Sequence, residues 1–74
     1  LGVFEMYDEA LAHYEVVIAK DPENSEVLVN MGDILFKLER YDEAIDRYDA
    51  ALVHDPGNEE IKTKKGEAVA RMEA

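Results

Sequence analysis

The chain repeats itself after about 34 residues, and no other feature of the sequence constrains the fold as strongly. The segment Tyr7-Asp8-Glu9-Ala10 recurs as Tyr41-Asp42-Glu43-Ala44. The other identities at this offset are Tyr14 with Tyr48, Asp21-Pro22 with Asp55-Pro56, Asn24 with Asn58, and Gly32 with Gly66. A repeat of this length is typical of architectures in which each unit buries its apolar face against the next.

The first half of the central stretch, Leu28 to Pro56, has the apolar periodicity of an α-helix. Leu28, Met31 and Leu35 stand at i, i+3 and i+7 and form one apolar stripe. A second stripe consists of Val27, Ile34 and Leu38. A helix with two apolar stripes is predicted to be covered on two sides.

The second half of this stretch predicts another helix, with one apolar and one solvated face. The apolar positions are Ala44, Ile45, Tyr48, Ala51 and Leu52, and the polar positions are Asp42, Asp46, Arg47 and Asp49. Only the short polar segment Glu39-Arg40 separates the two helices, so we expect them to pack antiparallel. Gly32 and Ala44 are the small residues that would allow a close approach.

The motifs in this stretch resemble those of the tetratricopeptide repeat family. The chain has Leu28-x-x-Met31-Gly32-x-x-Leu35, then Ala44-x-x-x-Tyr48, then Pro56. The family pattern is W-x₂-L-G-x₂-Y, then A-x₃-F, then P, and each difference at these positions keeps apolar bulk. The resemblance implies an all-α fold, an antiparallel helix-hairpin solenoid (an α-α superhelix) of about four helical segments. It also implies a non-catalytic module that binds other proteins.

On this basis residues 1–74 are expected to form a single domain in three parts. Residues 1–24 would be the second half of a truncated repeat, 25–58 a complete repeat, and 59–74 a C-terminal capping helix. Leu1–Met6 would end one helix, and a separate helix would begin at Tyr7. The expected capping role rests on Lys62 and Lys65, which replace the apolar Leu28 and Met31 of the central repeat. The amino end is expected to be a cut within a longer array.

Composition limits the classes of partner. The net charge of −10 argues against nucleic acid or an anionic membrane surface. The chain has no cysteine, no apolar run of membrane-spanning length and no signal peptide. We therefore predict a cytoplasmic, acidic protein that binds another protein or peptide. The acidic surface either attracts a basic partner or only solvates the outer helix faces.

No group of residues predicts catalysis. His13 and His54 lack partners at metal-ligand or general-base spacing. The acidic pairs at helix starts, such as Asp42-Glu43, are explained by the helix dipole. The sequence therefore predicts no enzyme activity, no catalytic or metal-binding residues and no cofactor.

The helix predicted for the first half of the central stretch has one more stripe, which belongs to neither of its two apolar stripes. It consists of Val29, Asp33 and Phe36, at i, i+4 and i+7. The family resemblance implies that this side lines a groove for an extended peptide or a helix. The residues expected there are Glu26, Val29, Asn30, Asp33, Phe36 and Lys37, with Glu60, Thr63, Lys64, Glu67 and Arg71 added by register from the last helix. The competing interpretation is that Phe36 is a core residue and the others are plain surface.

Some tetratricopeptide adaptors bind the C-terminal carboxylate of heat-shock chaperones through Lys and Asn side chains. Asn30 matches one such Asn, and Lys64 could replace an Arg of that clamp. Glu60 stands at a clamp Lys position, however, and the nearby Asp33 and Glu67 would repel a carboxylate. The comparison argues against this ligand.

The alternative function is structural. An array end that lacks a covering helix would self-associate or cap a larger protein. The residues expected to carry this contact, as a homo-oligomer, are Leu1, Phe4, Leu11 and Tyr14.

Overall fold

The computed structural model describes residues 3–74, with side chains from Glu5 onward. This part of the chain contains four α-helices and no β-strand: α1 (Val3–Lys20), α2 (Ser25–Lys37), α3 (Tyr41–His54) and α4 (Glu59–Glu73). The prediction of an all-α helical-hairpin fold is confirmed. None of the described helices is long and apolar enough to cross a membrane.

The two loops that precede α2 and α4 have the same structure because they have the same sequence signals. Asn24 Oδ1 accepts a hydrogen bond from the backbone N–H of Val27 at 3.1 Å, which caps α2. Asn58 Oδ1 accepts one from Ile61 N–H at 3.1 Å and caps α4. The N–H of each Asn also donates to the carbonyl of the Asp three residues earlier, at 3.2 Å in both loops.

The turn between α2 and α3 is tight and uses a left-handed residue. Glu39 has φ of 63°, in the region where a side chain is disfavoured. The N–H of Arg40 donates to the carbonyl of Leu35 at 2.9 Å, and Glu39 N–H donates to Phe36 at 3.0 Å. These bonds satisfy carbonyls at the end of α2 and turn the chain back on itself.

The predicted helix break before Tyr7 is wrong. Helix α1 runs without interruption from Val3 to Lys20, so residues 3–6 form its first turn and not the end of another helix. By register Glu5 matches Glu39, yet Glu39 is the only non-glycine residue with positive φ in the described chain. A left-handed residue is costly, and at Glu39 that cost is offset by the packing of α2 on α3. Leu1 lies outside the described residues.

The core lies where α2, α3 and α4 meet. Its buried apolar residues are Leu28, Met31, Leu35, Ala44, Tyr48, Ala51, Ile61 and Ala68. The contact of α2 with α3 is the most extensive, that of α3 with α4 is next, and that of α1 with α2 is smaller than either. The first stripe of α2 and Ala44, Tyr48 and Ala51 of α3 are thus buried as the periodicity predicts, whereas Ile45 and Leu52 are half-buried. Met72, which by register matches Leu38 of the second stripe of α2, is 51 % exposed because it lies in the last turn of α4.

The closest approach within the core is between Gly32 and the ring of Tyr48. A Cβ atom at Gly32 would lie 2.5 Å from Cε1 and 2.8 Å from Cδ1 of that ring. The ring is 2 % exposed, and its hydroxyl is held by the hydrogen bond to Asp33. Gly66, the repeat equivalent of Gly32, has no atom within 4 Å of the same position. The glycine in α2 is therefore needed for packing, whereas the one in α4 is not.

We predict opposite effects of alanine at these two glycines. Gly32→Ala should lower the free energy of unfolding by about 1–2 kcal/mol, because the overlap with Tyr48 outweighs the gain in helix propensity. Gly66→Ala should raise it by about 0.5–1 kcal/mol, because only the propensity changes. Urea titrations followed by circular dichroism measure both changes. Equal effects of the two substitutions would contradict the packing described here.

Candidate functional site

A groove runs between α2 and α4 and contains two pockets. The first, here called the acidic pocket, has a volume of about 360 Å³. It is lined by Ser25, Glu26, Val29, Asn30, Asp33, Asp55, Asn58, Glu60, Ile61 and Lys64. The second, here called the Phe36 pocket, has a volume of about 300 Å³ and is lined by Asp33, Phe36, Lys37, Tyr48, Lys64 and Glu67. Asp33 and Lys64 line both pockets and form the boundary between them.

The boundary is a hydrogen-bonded ion pair that joins three helices. Lys64 Nζ on α4 donates to both carboxylate oxygens of Asp33 on α2, at 2.8 and 3.0 Å. The hydroxyl of Tyr48 on α3 donates to Asp33 Oδ1 at 2.6 Å. Both charged side chains are about one-third exposed, at 30 % for Lys64 and 34 % for Asp33. The pair is therefore firmly placed at the floor of the groove but remains in contact with solvent.

The hydroxyl of Tyr48 is bonded to this pair, although the sequence predicted only that Tyr48 lies on the apolar face of α3. Burial raises the pKa of Tyr48 above its ordinary value, and the hydrogen bond to Asp33 raises it further. A deprotonated Tyr48 would lose this hydrogen bond and repel the neighbouring carboxylate. The groove floor thus depends on the neutral form of the tyrosine.

The rim of the acidic pocket carries three carboxylates, on Glu26, Asp55 and Glu60. None of them has a cationic partner within ion-pair distance among the described side chains. Asp55 Oδ2 accepts a hydrogen bond of 2.9 Å from the side-chain amide of Asn58, which holds it at the start of α4. The lining of this pocket therefore has a net negative charge, since the charges of Asp33 and Lys64 cancel and the other three carboxylates remain.

The Phe36 pocket has a different character. The Phe36 ring makes an edge-to-face contact with Tyr41, with ring centroids 5.2 Å apart. The guanidinium carbon of Arg71 lies 5.5 Å from the centroid of the same ring. Phe36 is half-buried and also packs against the core. Phe36 thus both packs against the core and lines a pocket, and binding of a partner there stays a prediction.

The structure brings ten of the residues in the predicted groove into or against the two pockets. These are Glu26, Val29, Asn30, Asp33, Phe36, Lys37, Glu60, Lys64, Glu67 and Arg71, the last through its contact with Phe36. Thr63 does not join them: it lines neither pocket, and its hydroxyl donates to the carbonyl of Glu59 at 3.0 Å on its own helix. That any partner binds at these residues stays a prediction.

Sequence reasoning missed five lining residues: Ser25, Tyr48, Asp55, Asn58 and Ile61. Four of them belong to or flank the loops before α2 and α4. The sequence did contain a signal for these four residues, because the same Asp-Pro-x-Asn loop precedes both α2 and α4. Tyr48 was assigned to packing alone, since periodicity does not reveal where a hydroxyl points.

A larger pocket of about 470 Å³ lies outside the groove, beside α1 and the start of α3. Its charged side chains are mostly paired with one another. Arg40 donates to Glu43, and Arg47 lies 3.4 Å from Glu15. Leu11, one of the predicted self-association residues, lines this pocket and also packs against the core. Volume alone therefore does not make it the better candidate.

The other residues expected in self-association are only partly described. Tyr14 is half-buried, and its ring centroid lies 6.4 Å from that of the exposed His13. Leu1 and the side chain of Phe4 lie outside the described residues. The structure therefore leaves the homo-oligomer contact as a prediction.

Comparison with known proteins agrees with the repeat seen in the sequence. The model of a family described as tetratricopeptide repeat matches residues 5–68, which is most of the chain. No curated protein matches the sequence. The family match thus covers all of α2 and α3, most of α1, and α4 as far as Ala68.

We predict that stability falls at alkaline pH through Tyr48. Its pKa is raised in the folded state, so its stabilising contribution is complete below the ordinary value of 10.0 and is lost as pH rises through the folded pKa. Tyr48→Phe should flatten the fall in unfolding free energy above pH 10 and remove the late part of the tyrosinate absorbance titration. Tyr41→Phe provides the control. Identical alkaline profiles for wild type and Tyr48→Phe would contradict the prediction.

Proposed function

The chain belongs to the tetratricopeptide repeat family, and from this premise we propose that it is a non-catalytic protein–protein interaction module. The groove between α2 and α4 binds a peptide or a helix of a partner protein. The binding residues are those of α2 (Glu26, Val29, Asn30, Asp33, Phe36 and Lys37) and of α4 (Glu60, Lys64, Glu67 and Arg71). The net charge of −10 favours a protein over nucleic acid or an anionic membrane as the partner. The proposed location of this interaction is the cytoplasm.

One observation carries this proposal: the two pockets are adjacent and share a fixed floor. An extended peptide has side chains that alternate along its length, and adjacent pockets can accept them. The Asp33–Lys64 pair and the buried Tyr48 hold the floor before any ligand arrives. A preformed site loses less conformational entropy on binding than a flexible one.

Val29 offers the sharpest test because it lines the acidic pocket while only half-buried. We predict that Val29→Glu abolishes capture of a partner from host extract, because the longer side chain occupies the acidic pocket and replaces part of its apolar lining. Val53→Glu is the matched control, because Val53 is 74 % exposed on α3 and lines neither groove pocket. Circular dichroism confirms that both variants are folded.

Mass spectrometry identifies the proteins captured by wild type and by each variant. A protein recovered with wild type and with Val53→Glu, but lost with folded Val29→Glu, supports the groove. Equal recovery with all three baits, or recovery of the chain alone, overturns it.

A second candidate function is structural, and a specific contrast between repeats favours it. Ala44, Tyr48 and Ala51 of α3 are buried, with exposures of 0, 2 and 0 %. The residues at the same repeat positions of α1, which are Ala10, Tyr14 and Val17, are only half-buried. An apolar face of this kind is suited to contact with a further helix, either in a longer array or in a second copy.

Sedimentation equilibrium separates the two functions. The structural candidate predicts that the apparent mass rises with concentration and returns to that of a monomer in Tyr14→Lys. The groove variant Val29→Glu should not change it. A mass that stays monomeric at every concentration removes self-association and leaves the groove unaffected.

A further inference from the structure

We infer that the groove selects a basic partner segment, with a Lys or Arg side chain seated in the acidic pocket. This inference rests on the proposed function, because it specifies the chemistry of the peptide that the groove would bind. It is drawn from the unpaired carboxylates of the pocket, its apolar lining residues and the distribution of charge along the groove.

The first observation is that the negative charge of the acidic pocket is not balanced within the protein. Glu26 and Glu60 face the same pocket from α2 and α4, and Asp55 joins them from the loop. No described ion pair includes any of these three carboxylates. A bound cation between Glu26 and Glu60 would lower their mutual repulsion as well as make new contacts.

The second observation is that the only cation in the pocket lining is already engaged. Lys64 Nζ lies 2.8 and 3.0 Å from the two oxygens of Asp33, so the two charges compensate each other. Lys64 is therefore poorly placed to receive a carboxylate from a ligand. This arrangement opposes an acidic C-terminal peptide, in agreement with the sequence comparison with the chaperone clamp.

The third observation is the apolar floor beneath the carboxylates. Val29 on α2 is half-buried and Ile61 on α4 is 3 % exposed, and both line the acidic pocket. Lys and Arg have long aliphatic stems that pack on apolar surface while the charged head reaches polar groups. A pocket with an apolar floor and an acidic rim matches both parts of such a side chain.

The adjacent Phe36 pocket defines where the rest of the segment would lie. Its lining includes Lys37 as well as Glu67, and Arg71 lies over the Phe36 ring. Lys37 and Arg71 thus lie at this end of the groove together with Glu67, whereas the three unpaired carboxylates of the acidic pocket lie at the other end. A segment with an apolar residue beside Phe36 and a basic residue in the acidic pocket satisfies both ends.

The test starts from an unbiased random peptide library selected against the whole chain. We expect the enriched peptides to combine Lys or Arg with an apolar residue at a constant spacing. An enriched peptide is then measured by calorimetry against wild type and the double variant Glu26→Gln, Glu60→Gln. Neutralising two exposed carboxylates should weaken binding roughly three- to tenfold, and raising the salt concentration should weaken binding to wild type.

The matched control is Glu9→Gln, Asp46→Asn, which makes the same change in net charge at exposed residues outside both groove pockets. Its affinity for the peptide should stay within twofold of wild type. If both double variants weaken binding equally, the attraction is to the net charge alone and the inference is wrong.

The selection also separates this inference from the proposed function. Enriched acidic or uncharged peptides that lose affinity with Val29→Glu would overturn the basic specificity and leave the groove intact. Failure to enrich any peptide would overturn both. Basic peptides that bind the double variant Glu26→Gln, Glu60→Gln as tightly as wild type would place the interaction outside the acidic pocket and also overturn the inference.

Discussion

The Tyr48 ring packs directly on Gly32, and this contact determines how closely α2 and α3 approach each other. The ring occupies the space that any Cβ at Gly32 would need. Its hydroxyl then reaches Asp33, the next residue of α2, and Asp33 binds Lys64 of α4. One aromatic side chain therefore sets the spacing of the α2–α3 hairpin and, through a single carboxylate, the position of the following helix.

This arrangement links a small core to a surface with potential function. The side chain that fills the core from α3 also holds the floor of the groove between α2 and α4. The ion pair is about one-third exposed and has modest value for stability. Its larger consequence is geometric, because it divides the groove into an acidic pocket and a pocket beside Phe36. Helix α1 takes no part in the Tyr48–Asp33–Lys64 contacts, and its apolar face is less buried than that of α3. This face is therefore the second candidate contact surface, beside the groove.

Much of the fold was predictable because the information is local and repeated. Apolar spacing predicted the buried stripe that contains Leu28, and the Asn24 cap followed from its side-chain chemistry. The start of α1 was not predictable from register, because the turn at Glu39 depends on the packing of α2 on α3 and not on the local sequence alone. The groove was expected from family resemblance, yet the Tyr48 hydrogen bond was not. Periodicity gives the face of a residue but not the partner of its polar atom.

We propose that partners bind between α2 and α4, and chemical-shift mapping would show directly where a ligand contacts the chain. Amide resonances of the labelled chain would be followed while a selected peptide is added. Binding in the groove predicts that the largest shifts fall on residues of the two pockets, such as Val29, Asn30 and Lys64, with little change at Tyr14. Shifts concentrated on α1 and on the pocket beside Arg47, with an unchanged groove, would contradict it.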